Sequence, residues 1–285
     1  MPAPQLATVL GAARRLLRGA EPVPPRAVSP VPADPGERAL AAGVPARLVP
    51  ELGSTLDALS GPLRRQVLEP FSGEEVRWGE APARQVDGTT CGSAVLVCLA
   101  ASGDPSLALW LATGRSVGEH VPPELRLARH AFPGAPTATG AARFALVQRA
   151  LRRLTNRSWP RALGTPPWGA ALAARHGRTR FEARLLDDAD PSASSLVDQA
   201  ALALAAGVPV PLYVGGDLSG GIAAAVPRHV VLLVGREAGT FRVYEPGSAR
   251  VLPVHREVLC GGGPGRPVAA LGGWWRVSWI LLPRQ

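Results

Sequence analysis

The chain has 285 residues, 46% of them apolar, which is enough for a sizeable core and excludes a disordered tail. All 31 basic residues are arginine, and with 32 glycines and 30 prolines this looks like GC-rich codon usage, so the net charge of +9 gives little reason to expect a nucleic-acid partner. No run approaches the roughly 20 apolar residues of a membrane helix and the N-terminus lacks the apolar stretch of a secretory signal, so the sequence predicts a cytoplasmic protein with no membrane span.

In chain order, residues 5–18 read as a short amphipathic helix with Arg14, Arg15 and Arg18 on its polar side, and residues 22–35 as a proline-rich linker. Two or three short helices are predicted between Glu37 and Phe71, broken at Gly43, Gly53 and Gly61. They form either a prodomain-like cover or part of the core. A polar turn at 85–90 then runs into an apolar helix from Cys91 to about Ala101, ended by Gly103-Asp104-Pro105. A second helix is expected over Leu107–Thr113, followed by an irregular region containing Pro122-Pro123 and Pro133-Gly134. The helix around 141–155 carries Arg143, Arg149, Arg152 and Arg153, with Arg157 and Arg161 beyond it, and reads as a solvated basic face. Next come a loop at Pro166-Pro167-Trp168, a helix near 170–176, a strand over Phe181–Leu186, a capped helix over Ser194–Ala206 and a strand over Val208–Val214. The glycine-rich stretch 215–221 is a candidate mobile lid; no Lys-Ser/Thr follows it, so it is not a phosphate loop. Trp274, Trp275 and Trp279 mark a closing strand with an aromatic face.

Two segments carry chemistry. Cys91 lies where the polar turn meets the helix, with Thr89 and Thr90 as N-cap residues. Unpaired N–H groups and the positive end of the helix dipole favour a thiolate there, so a reactive thiol is expected. The competing reading is a buried small hydrophobe. The second segment runs from His229 to Glu245: two β-rich runs flank a short turn containing Gly239. If Gly235 faces Gly239, facing residues sum to 474, and 474 − 229 = 245 sets His229 opposite Glu245. A carboxylate so placed holds and polarises the imidazole.

Together the two segments resemble the papain-like cysteine peptidase superfamily, and within it the bacterial branch that includes the double-glycine leader peptidases. The resemblance covers roughly residues 81–100 and 203–250. In that family a glutamine six residues before the nucleophilic cysteine donates to the oxyanion, and here 91 − 85 = 6. It implies an α+β fold, with a helical lobe led by the Cys91 helix packed on an antiparallel sheet carrying the histidine and the acid. It also implies that Cys91 is the nucleophile, His229 the base, Glu245 the orienter and Gln85 the oxyanion donor. Glu245 departs from the usual Asp or Asn. A facing glutamate must buckle to reach the ring, so Glu245→Asp is expected to be nearly as active as the parent.

The expected organisation is an N-terminal helix and linker over 1–36, a helical extension over 37–80 and the catalytic domain over 81–285. Cys91 and Cys98 are seven residues apart on one helix, roughly 10 Å, too far for a disulfide; Cys98 reads as core and Cys260 as a loop thiol. His120, His130, His176 and His255 lack the spacing of zinc ligands, so no metal and no cofactor are expected. The expected substrate is a peptide or amide. Amine acyl transfer, as in transglutaminase-like and arylamine acetyltransferase enzymes, and an inactive papain-like binding or assembly scaffold remain as alternatives.

Overall fold

The structure is a computed structural model that describes residues 28–156, 164–186, 192–216, 227–261 and 265–284. The expected helix at 5–18, residues 22–27 of the linker, Arg157 and Arg161, and the lid from Asp217 onward lie outside the described residues. The class is α+β. The chain divides into two compact units, one formed by Val31–Arg180 and Pro246–Val251, the other chiefly by Phe181–Glu245 and Leu252–Gln285.

The first unit is mainly helical. Helix α1 (Pro35–Ala42) starts where the Asp34 carboxylate accepts from the Glu37 N–H, and stops at Gly43 in the left-handed region. Helices α2 (Val49–Asp57) and α3 (Gly61–Leu68) follow. Gly43 and Gly61 fall at helix ends as expected, but Gly53 lies inside α2. A short hairpin, β1 (Arg77–Trp78) and β2 (Ala81–Pro82), leads to α4 (Cys91–Ser102), whose first eleven residues are all buried. Helix α5 (Pro105–Thr113) begins at Asp104, which accepts from the Ser106 and Leu107 N–H groups. Helices α6 (Pro123–Ala131), α7 (Gly140–Thr155) and α8 (Pro167–Ala173) complete the set, and α4 is enclosed by α5, α7, α8 and strand β3 (Arg175–His176). A helix apolar on every side needs such enclosure.

Three expectations change here. The irregular region after Thr113 contains α6, because Pro123 serves as a first-turn residue and does not break the helix. The helix expected at 170–176 is shifted to 167–173, and Arg175 and His176 instead pair with Arg180 and Thr179 at the start of β4 (Thr179–Leu185). The basic run is not uniformly solvated. Arg143 is 4% exposed and donates from Nε to Leu111 O (2.9 Å) and from Nη2 to Ala112 O (3.1 Å), carbonyls at the end of α5. A second buried arginine, Arg175, reaches Glu124 Oε1 on α6 (2.6 Å) and Asp104 Oδ2 (2.8 Å).

The second unit is built on a sheet. From Phe181 onward β4 belongs to it, followed by α9 (Ser192–Ala205), β5 (Val210–Gly215), β6 (His229–Glu237), β7 (Thr240–Glu245), β8 (Arg250–His255, from Leu252 onward), the short α10 (Arg256–Leu259) and β9 (Arg276–Arg284). The strand order is β4-β9-β5-β6-β7-β8, antiparallel at β9-β5, β5-β6 and β6-β7. Strand β5 is buried along its whole length and α9 packs on β5, β6 and β9. Strand β8 had not been expected. Of the three tryptophans only Trp279 lies within β9; Trp274 and Trp275 precede it, with ring centroids 6.3 Å apart.

Candidate active site

In the first unit the segment from Gln85 to Thr90 folds into a compact turn on Asp87. Its carboxylate accepts from the Thr89 N–H (2.8 Å) and hydroxyl (2.6 Å), and its carbonyl accepts from Gln85 Nε2 (2.8 Å) and the Thr90 N–H (3.2 Å). Partial burial raises the Asp87 carboxyl pKa, but the Thr89 hydrogen bonds and the Arg152 charge outweigh it and leave the group below the usual carboxylate range. Thr90 occupies the N-cap of α4, yet its hydroxyl turns back to the Asp87 carbonyl and gives the helix no side-chain cap. Among the described residues the first N–H groups of α4 have no side-chain acceptor, the arrangement that favours an anion at this end.

Cys91 is the first residue of α4 and is only 3% exposed. Beside it, Gly92 permits a close approach: a Cβ there would lie 2.7 Å from Thr165 Cβ. The Thr165 loop is held by Asn156 at the end of α7, whose Nδ2 donates to Gly164 O. Gln85, half-buried, stands at the other end of the turn. One hydrogen of its Nε2 goes to Asp87 O, leaving the second without a protein acceptor among the described residues. Its backbone N–H donates to Pro246 O at 2.9 Å.

In the second unit His229 and Glu245 meet: Nε2 lies 2.8 Å from Oε1, with the side chains 11% and 8% exposed. The register that brings them together differs from the expected one. Glu237 faces Thr240, so the turn has two residues, Ala238 and Gly239, both at positive φ (45° and 83°). A bulge between Leu233 and Gly235 then shifts the pairing to Leu233↔Val243 and Leu232↔Tyr244. Facing residues there sum to 476, and 476 − 229 = 247. His229 and Glu245 are therefore diagonal neighbours on one face, two residues out of register, and the extra methylene of glutamate spans the gap. One edge of the ring is closed by Gly272 (φ 65°), where a Cβ would come within 2.6 Å of Nε2.

Sequence reasoning passed over Gln148 and Gly272, and read Arg152 only as part of a solvated basic face, whereas it pairs with Asp87. Gln148 had a signal: it falls on the apolar stripe of α7 between Phe144, Val147 and Leu151, where a glutamine requires polar partners. Gly272 had none, because its role depends on which ring lies beside it. Cys98 lies in the core as expected, and Cys260 follows the short helix α10. Cys98 is fully buried, and burial raises the Cys260 thiol pKa despite the charge of Arg256. Among the described residues no group of three or more His, Cys, Asp or Glu side chains is arranged to hold a metal, and no single helix is long and apolar enough to cross a membrane. Comparison with protein-family models, curated proteins and solved structures gave no match, so the site is read from the chain's own residues.

Proposed function

We propose that the chain is a cysteine-dependent peptidase or amidase on a papain-like fold, acting by thiol acyl transfer. The reading is carried by the His229–Glu245 pair, a shielded imidazole held by a carboxylate at 2.8 Å. Because Nε2 is committed to Glu245, Nδ1 is the nitrogen that takes the proton from Cys91 and returns it to the leaving amine. The Cys91 thiolate adds to the carbonyl carbon, and the oxyanion is received by the Cys91 N–H and the second Nε2 hydrogen of Gln85. Expulsion of the amine leaves a thioester, which water hydrolyses.

An inactive papain-like scaffold is the second reading, favoured by the burial of Cys91 and by the Gln85–Asp87 bond. Alkylation with iodoacetamide at pH 6 separates the two. An activated Cys91 reacts far faster than Cys98 and Cys260, as read by peptide mapping, and slows in His229→Ala. Equal or slower labelling of Cys91, unchanged by that substitution, refutes the enzyme reading.

A further inference from the structure

Gln148 is 0% exposed on α7, and both ends of its amide are used. Nε2 donates to Arg84 O at 3.0 Å and Oε1 accepts the Val86 N–H at 3.2 Å. These are the two groups that flank Gln85 on one edge of an extended backbone, so the amide makes the bonds a neighbouring strand would make. On the other edge the Gln85 N–H is taken by Pro246 O. One turn further along α7, Arg152 Nη1 lies 3.4 Å from Asp87 Oδ2, on the residue whose carbonyl holds Gln85 Nε2. The backbone of Gln85 is fixed from both sides and its side chain from the front.

From this we infer that Gln148 is a positioning residue for the oxyanion donor, acting through the backbone of Gln85; the inference rests on the role proposed for Gln85. Only a group with a donor and an acceptor at one terminus fits. A glutamate at 148 would set a carboxylate against the Arg84 carbonyl, and a leucine would leave Arg84 O and the Val86 N–H without partners.

Two reagents divide this role from a merely structural one. Acylation of Cys91 by p-nitrophenyl acetate passes through an oxyanion; alkylation by iodoacetamide is a direct displacement and does not. Gln148→Leu is expected to slow acylation by roughly tenfold to 10²-fold, the scale of a misplaced or lost donor, while Cys91 alkylation stays within about twofold of the parent. In a Gln85→Ala background the same substitution has no further effect, since its target is gone. Should Gln148→Leu fail to fold, Gln148→Met, of similar length, takes its place. Parent-like acylation, an equal fall in both reactions, or effects that add to those of Gln85→Ala overturn the inference. Failure of the enzyme reading looks different: the parent itself then shows no preferential labelling of Cys91.

Discussion

The diagonal pairing of His229 and Glu245 makes a prediction opposite to the one drawn from family preference. Shortening the side chain by one methylene in Glu245→Asp withdraws the carboxylate by about 1.5 Å. From the present 2.8 Å the oxygen then lies roughly 4 Å from Nε2, beyond a hydrogen bond. Hydrogen bonds to a charged group contribute about 1.5–3 kcal/mol, and this pair is shielded enough to keep most of that. The expected loss is therefore roughly 10-fold to 10²-fold in the acylation rate of Cys91 by p-nitrophenyl acetate. Glu245→Gln keeps length and hydrogen bond but loses the charge, so it falls between the parent and the aspartate variant. Glu245→Ala is at least as slow as the aspartate variant. The rates are to be compared per folded molecule, with melting temperature measured on the same preparation. An aspartate variant as fast as the parent would refute the diagonal geometry and restore a facing register.

Gly272→Ala is expected to push the His229 ring off Glu245, because its Cβ would lie 2.6 Å from Nε2 and its backbone is left-handed; acylation and alkylation of Cys91 should both fall, whereas a shift in melting temperature alone would show that the ring adapts. His176, 4% exposed, has its pKa lowered to about 4 by burial and then by the charges of Arg38 and Arg175. The unfolded imidazole takes up its proton near pH 6.5 and the native one only near 4, so stability present above pH 6.5 is lost as pH falls through that window, by about 2 kcal/mol at pH 5 and ~3 kcal/mol at pH 4. Urea unfolding at pH 7 and pH 5 tests it: His176→Gln should lose most of the difference, and an unchanged difference assigns the acid sensitivity elsewhere.

The elements that the sequence announced are those whose signals are local. Helix α4 begins and ends within a residue of its expected limits, because the turn before Cys91 and Gly103 after it act at short range. Helix α6 and strand β3 were missed for different reasons. Pro123, read as a breaker, is a first-turn residue that starts the helix, whereas Arg175, read as part of a helix, is held by tertiary partners: its ion pair with Glu124 joins elements 51 residues apart. The basic run misled likewise at Arg143, whose partners are carbonyls at the end of another helix. Charge pattern cannot reveal a guanidinium that caps a neighbour.

The hairpin shows how a residue type can carry information that a family comparison discards. Counting from the glycines gave a facing pair, and on that register glutamate looked like a defect. Ala238 at φ 45° is the reason the count failed: a two-residue turn with both central residues at positive φ ordinarily carries Asn or Gly first, so the tighter turn left no trace in the sequence. With that turn and the bulge after Leu233, the acid falls two residues short of the histidine, a gap that an aspartate does not bridge. Turn, bulge and side-chain length compensate one another. Because Val234 is the extra residue of the bulge, deleting it leaves Leu233 opposite Val243 and keeps the pair in place, whereas deleting Val230 would move His229 by one residue and turn its side chain to the face away from Glu245. Loss of His229-dependent labelling of Cys91 in the Val230 deletion, at retained sheet content, is the expected result; a Val230 deletion that still shows it would mean the pair does not depend on the strand register.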